Sequence, residues 1–250
     1  MRFIQFLIVS AVISAAAISP ALAKSSLWLE DLTWTEIKAQ LDTGYKTVLV
    51  PTGGTEQNGP HIALGKHNWI VYYTAQAIAQ KLGHTLIAPV ITYVPEGHIT
   101  PPQGHMRFTG TISVREEIFE GLLEDTARSL KQAGFTTICF IGDSGGNQQG
   151  QKAVAEKLSR EWRTEGVRVI HASDYYAPKA ADDYAARHKL GKGNPQAHGG
   201  YMDTAELLAS HPAGVRKQAA ADHSREDEDK TGSAGDATGA TAAEGTTLLQ

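Results

Sequence analysis

Cysteine is nearly absent from this sequence, since Cys139 is the only one in 250 residues. A single cysteine cannot form an internal disulfide, so the stability of the protein must come from its packed core. Cys139 lies in the apolar run 137–141, which predicts a buried strand residue with a structural role and no part in catalysis.

The sequence also lacks an excess of positive charge. It contains 23 Lys and Arg residues and 27 Asp and Glu residues, which gives a formal net charge of −4. There is no basic footprint for nucleic acid, so a nucleic-acid partner is not expected. The glycine-rich turns also lack the Gly-Lys-Ser/Thr ending of a P-loop, which disfavours a phosphate-cradling role for them.

Residues 1–23 are predicted to be a secretory signal peptide. Arg2 supplies a positive charge, residues 3–17 form an apolar stretch, and Ala-Leu-Ala at 21–23 is a small-x-small cleavage site. The stretch is too short for a stable membrane span. The expected mature protein, residues 24–250, is therefore periplasmic or secreted, with no membrane contact after cleavage. The alternative is an uncleaved N-terminal anchor.

In the mature chain, apolar runs of strand length alternate with segments of helical periodicity. Strands are predicted at 46–50, 85–90, 136–141 and 167–171. Helices are predicted at 69–82, 113–133, 148–165 and 204–211, the second with Ser113 as its N-cap. This alternation predicts an α/β protein, a single domain with α/β/α layers around a mostly parallel sheet. The composition of residues 219–245 by itself predicts disorder.

Polar segments that contain glycine follow two of the predicted strands. Segment 53–61 comes directly after the first strand and carries Glu56 and His61, and His67 follows six residues later. Segment 142–147 follows the third strand in the same way. Because ligands and metals bind at the carboxyl edge of parallel sheets, both segments are candidates for one shared site.

These segments resemble motifs of the creatininase (creatinine amidohydrolase) family. Residues 53–67 read GGTEQNGPHIALGKH, where the family pattern is G-[GS]-x-E-Q-H-G-P-H-L-P-x-x-x-D. The other matching segments are HMRFTGT at 105–111, GDSGGN at 142–147 and HGGYMDTA at 198–205. The tail 232–245 is similar to the closing segment of the family, which implies an ordered tail and corrects the expectation from composition.

The resemblance implies a divalent metal site, hydrolysis of C–N bonds in linear or cyclic amides, and a homo-oligomer. The metal-ligand positions of the family fall on Glu56, Asn58, His67, Ser144 and Asp203, of which Glu56 alone keeps the family residue. An amide or a hydroxyl is a poor ligand for zinc or manganese, and a histidine cannot bridge two metals. A site with one metal per chain is therefore expected.

The replacements at these positions are all polar, which indicates a remodelled site. The predicted ligands of a single zinc or manganese ion, or of iron, are Glu56, His67, Asp143, Asp203 and His61. The alternative is a decayed site on a retained fold. The chain would then be a non-catalytic periplasmic protein that binds a ligand or assists assembly.

The expected reaction is hydrolysis of a small-molecule amide, with metal-bound water as the nucleophile. His198 matches the histidine of a family motif and is the first candidate for proton transfer to the leaving nitrogen, and His105 is the second. The backbone N–H groups of Gly145 and Gly146 are predicted to stabilise the oxyanion, and Asn147 to orient that turn.

Overall fold

A parallel β-sheet forms the centre of the computed structural model, which describes residues 26–191, 194–226 and 228–250. The predicted signal peptide, residues 1–23, lies outside the described residues. The strands are β1 Thr47–Thr52, β2 Thr85–Ile87, β3 Thr137–Gly142 and β4 Arg168–His171, in the spatial order β2-β1-β3-β4. All neighbouring pairs run parallel. The predicted α/β fold with a parallel sheet is confirmed.

Helices flank this sheet. They are α1 Trp34–Asp42, α2 Lys66–Leu82, α3 Glu116–Ala133, α4 Asn147–Glu161, α5 Pro178–His188, α6 Tyr201–Ser210, α7 Glu228–Thr231 and α8 Ala242–Leu248. Within the described ranges, none is both long enough and apolar enough to cross a membrane. The predicted helices correspond to α2, α3, α4 and α6, with ends that differ by a few residues.

Strand residues alternate between two apolar cores, one on each face of the sheet. Val48 and Val50 of β1 belong to the core that contains Leu123 of α3 and Leu158 of α4. Leu49, between them in sequence, belongs to a second core together with side chains of α2. This two-residue period is the geometry of a strand, whose successive side chains point to opposite faces. Each fully buried aliphatic side chain contributes about 1.5–3 kcal/mol to stability.

Cys139 is a partly buried residue of β3 that packs against the core on the α2 face. Burial raises the pKa of its thiol to about 11, so the thiol is protonated at neutral pH. A thiol in that state is a poor nucleophile, which agrees with a structural role.

Ser113 has a different role from the predicted helix N-cap. Helix α3 begins at Glu116, and its N-cap residue is Arg115, which makes no capping bond through its side chain. The Ser113 hydroxyl instead accepts a hydrogen bond from the Glu96 N–H (2.9 Å) and donates one to the Gly97 carbonyl (2.8 Å). Backbone groups in buried loops need such partners, and here Ser113 supplies them.

The C-terminal segment is ordered and packs against the rest of the domain. Ser233 is buried, and its hydroxyl donates to the carbonyls of His198 (3.1 Å) and Gly199 (3.2 Å). Helix α8 lies close to α6, where the Cα of Gly245 faces the Ala205 carbonyl. The tail therefore follows the family resemblance and not its composition, because its tertiary contacts compensate for its few apolar residues.

The contact between α8 and α6 makes Gly245 a sensitive position. A Cβ at residue 245 would lie 1.9 Å from the Ala205 carbonyl oxygen, so Gly245→Ala must push the two helices apart. We expect a loss of about 1–3 kcal/mol or more in the free energy of unfolding, measured by urea denaturation. Gly121→Ala on α3 is the matched control, since among the described residues no atom beyond its chain neighbours and its own helix backbone lies within 4 Å of the added Cβ. The control should gain about 0.5–1 kcal/mol, and equal effects of the two changes would refute this packing argument.

Candidate active site

A cavity of about 1220 Å³, lined by many titratable side chains, lies at the carboxyl ends of β1 and β3. Glu56 follows β1 and Asp143 follows β3, as the carboxyl-edge argument predicts for parallel strands. The titratable side chains that line the cavity include Glu56, Lys66, His67, Glu96, His105, Asp143, His198, Asp203 and Glu206. The cavity therefore brings together most of the residues that the sequence singles out.

Glu56 is the hub of this group. Its Oε2 accepts a hydrogen bond from His67 Nε2 (2.7 Å), and its Oε1 accepts one from His105 Nε2 (2.8 Å). His198 Nδ1 lies 3.9 Å from the same Oε1. Burial acts to raise the pKa of Glu56, but the charge of His67 and the hydrogen bonds from His105 and His67 outweigh it, so the pKa is far below its usual range. Glu56 is therefore a carboxylate with three imidazoles around it: His67 and His105 donate hydrogen bonds to it, and His198 lies nearby.

His67 lies between two carboxylates. In addition to Glu56, it donates through Nδ1 to Asp143 Oδ2 at 2.8 Å. Burial and the charge of Lys66 act to lower the pKa of His67, and the two carboxylates reverse the sign, so that the pKa rises to about 10. With both ring nitrogens donating, His67 has no lone pair to offer a metal in this arrangement. The predicted ligands His67 and Asp143 are thus engaged with each other.

Lys66 makes the same kind of contact on the other side of the site. Its Nζ is buried and donates to Asn58 Oδ1 (2.7 Å) and Asp203 Oδ1 (2.8 Å). The second carboxylate oxygen of Asp203 accepts a hydrogen bond from the Gly199 N–H at 2.8 Å. Burial acts to raise the pKa of Asp203, but the charge of Lys66 outweighs it and the pKa is lowered. Both oxygens of this predicted ligand therefore have partners within the protein.

His105 and His198 lie side by side, with ring centroids 4.7 Å apart. His198 Nε2 donates to the Gln57 carbonyl at 2.8 Å, which leaves the Nδ1 lone pair on the side of Glu56. Burial lowers the pKa of His198 and so favours the neutral ring. Within the described residues, ligand atoms of Glu56, His105 and His198 all lie within 4.8 Å of one another. That group has the chemistry of a metal site.

The remaining predicted residues occupy different places. His61 is buried, hydrogen-bonds Thr204 Oγ1 at 3.0 Å and is not part of the cavity lining. Gly145 and Gly146 do line the cavity, immediately before α4. Asn147 is fully buried, and its amide donates to the end of β1, including the Thr52 carbonyl at 3.2 Å. Asn147 thus connects the start of α4 to the end of β1.

Four polar residues of the site have no role in the sequence analysis: Lys66, Gln57, Glu96 and Glu206. Glu96 is buried, and its Oε1 has no hydrogen-bond partner among the described residues. Burial and then the charge of Glu56 raise the pKa of Glu96 to about 8. A lysine in the first turn of a helix, where the helix dipole disfavours a cation, could have pointed to Lys66. Nothing in the local sequence distinguishes Glu96 from a surface glutamate.

Family membership is decided by the match of the whole chain together with this fold. The sequence profile of the family described as Creatininase, creatinine amidohydrolase, matches residues 30–250. The chain belongs to the creatininase family.

Curated creatininase relatives include proteins with named activities. The chain is 26% identical over 186 residues to the mycofactocin precursor peptide peptidase of Mycobacterium ulcerans (strain Agy99). That match covers 71% of this chain and 64% of the relative, so it spans less than two thirds of the relative's length. The chain is also 23% identical over 206 residues to the creatinine amidohydrolase of Pseudomonas putida, a match that covers 79% of this chain and 77% of that protein.

Solved creatininase structures share the fold. The structure of creatinine amidohydrolase (creatininase) superposes with a TM-score of 0.75 at 22% identity, over 90% of this chain and 92% of the other. A structure described as "Creatininase Mn" has the same TM-score and identity, over 90% and 93% of the two chains. At this level of identity the similarity establishes the fold.

The position of His67 between two buried carboxylates predicts a large effect on stability. His67→Leu removes the shared cation and leaves Glu56 and Asp143 without it, so we expect a loss of about 3–5 kcal/mol in the free energy of unfolding, measured by urea denaturation at pH 7. His188→Leu is the control, because His188 is exposed on α5, and its effect should stay within about 0.5 kcal/mol. A similar, small effect of both changes would show that the His67 contacts do not stabilise the protein.

Proposed function

We propose that this protein hydrolyses a C–N bond in a small linear or cyclic amide, with one divalent metal ion bound by Glu56, His105 and His198. The observation that carries the proposal is the convergence of these three side chains in a large cavity of the creatininase fold. Two imidazoles and one carboxylate suit zinc, manganese or iron. The proposal keeps Glu56 from the ligand set expected from the sequence and replaces its other members.

The chemistry of the three donors supports metal binding. Glu56 is ionised, and His198 directs an Nδ1 lone pair toward it. His105 Nε2 would exchange its hydrogen bond to Glu56 for the metal, which requires the neutral ring to carry its proton on Nδ1, 3.1 Å from Gln57 Nε2. His105 and His198 were expected as proton-transfer groups, and the proposal gives them the role of ligands. The name "Creatininase Mn" of a structural neighbour supports a divalent metal in this family.

A bound divalent metal supplies a Lewis acid that lowers the pKa of water and polarises a carbonyl group. The protein supplies orientation and proton transfer. His67 and the Gln57 carbonyl hold Glu56 and His198 in place. Glu96, whose pKa of about 8 keeps it protonated at neutral pH, is the proposed proton donor to the leaving nitrogen. Gly145 is the proposed oxyanion donor because it lines the cavity at the start of α4, whereas the Gly146 N–H donates to Ser144 Oγ at 3.3 Å.

The relatives support an amide as the substrate class. The cavity volume of about 1220 Å³ exceeds that of a typical small-ligand pocket, so there is room for a short peptide as well as a small amide. The curated relatives are named as a peptide peptidase and as a creatinine amidohydrolase. The proposal includes export to the periplasm or beyond, and assembly as a homo-oligomer.

A second candidate function is a non-catalytic periplasmic binding or assembly protein. It is favoured by the internal pairing of the acidic side chains, since His67 contacts both Glu56 and Asp143 while Lys66 pairs with Asp203. A site in which each of these carboxylates already has a cationic partner does not need a metal to fold.

Elemental analysis of the purified protein separates the two candidates. The hydrolase proposal expects about one zinc, manganese or iron ion per chain, and a sharp loss of that metal in His105→Ala and His198→Ala. Turnover of a panel of amides, lactams and cyclic ureides should fall by about 100-fold or more in the same variants. His188→Ala, on an exposed histidine, should keep both the metal and the activity. A wild-type protein without metal after reconstitution would contradict the hydrolase proposal and favour the second candidate.

A further inference from the structure

Lys66 places a full positive charge among the carboxylates that line the site. The Lys66 side chain is 3% exposed, and its Nζ lies 2.7 Å from Asn58 Oδ1 and 2.8 Å from Asp203 Oδ1. The carboxylates of Glu56 and Asp143 also act on it electrostatically. A buried ammonium is costly unless it is paired and hydrogen-bonded. Asn58 and Asp203 supply the hydrogen bonds, and the carboxylates supply the opposite charge.

The helix that carries Lys66 does not explain this position. Lys66 is the first residue of α2, where the helix dipole presents its positive end. A cation is disfavoured there, and an acidic residue is the usual choice. The first turn of α2 contains no acidic residue. The favourable interactions of Lys66 are therefore those with Asn58 and Asp203, outside its own helix.

We propose that the Lys66 ammonium is a built-in cation that occupies the place of a metal ion between Asn58 and Asp203. The resemblance puts metal-ligand positions at both residues, and the structure puts Nζ within hydrogen-bond distance of an oxygen of each. The centre then accepts an external cation only at Glu56, His105 and His198. This inference deepens the proposed function, and it rests on that function for the metal site at Glu56, His105 and His198.

Metal titration in a background without the Glu56, His105 and His198 site tests the proposal. In His105→Ala/His198→Ala protein, MnCl₂ should leave the melting temperature unchanged relative to NaCl of equal ionic strength. Adding Lys66→Ala should lower the melting temperature by about 6–20 °C, because Asp203 loses its partner. In that triple variant, Mn²⁺ should restore part of the loss and bind to the protein in equilibrium dialysis.

Two controls make the result specific. Lys38→Ala removes an exposed lysine paired with Asp42, and it should change the melting temperature by at most about 2–4 °C with no Mn²⁺ effect. Adding Asp203→Asn to the triple variant should abolish the rescue by Mn²⁺, since the carboxylate is gone. If Lys66→Ala does not fold, Lys66→Gln, which keeps a hydrogen-bond donor without the charge, takes its place.

The outcomes are distinguishable from those of the hydrolase test because no activity is measured and the proposed catalytic site is removed. Rescue by Mn²⁺ that depends on Asp203 supports the role of Lys66 as a built-in cation. Three results would overturn it: Mn²⁺ binding to the background with Lys66 intact, no loss of stability on removing Lys66, or a loss that Mn²⁺ does not restore.

Discussion

Compensation of buried charge is the constraint on which the rest of this site depends. Three carboxylates, those of Glu56, Asp143 and Asp203, lie around two cations, Lys66 and His67. In a medium of low dielectric constant none of them is tolerated alone, so each fixes the position of the next. One carboxylate charge is left over, and it faces His105 and His198, where the proposed metal would bind.

The fold serves this arrangement by bringing distant segments to one sheet edge. The parallel pairing of β1 with β3 puts the loops after both strands side by side, and α2 supplies both cations from its first turn. The C-terminal segment supports the site. The Ser233 hydroxyl in this segment donates hydrogen bonds to the carbonyls of His198 and Gly199. A tail that is polar in composition is therefore part of the structural framework of the cavity.

Much of the fold could be predicted because its signals are local. The continuous apolar run of β1 and the helical periodicity of α2 and α3 are visible in short stretches of sequence. The exceptions are residues whose partners lie far away. Ser113 has the sequence signature of an N-cap, but its hydroxyl binds the backbone at 96 and 97, because the buried Glu96 N–H has a greater need of a partner than an exposed helix end.

The sequence by itself determined the family, the parallel α/β architecture and the set of polar residues at the carboxyl edge. It could not determine which of those residues pair with one another. Lys66 and Asp203 are 137 positions apart and meet at 2.8 Å, whereas His61 lies five positions from Glu56 and contacts Thr204 instead. Charge pairing depends on distance and burial, which the tertiary structure alone sets, and those quantities pair His67 with Glu56 and Asp143, and Asp203 with Lys66.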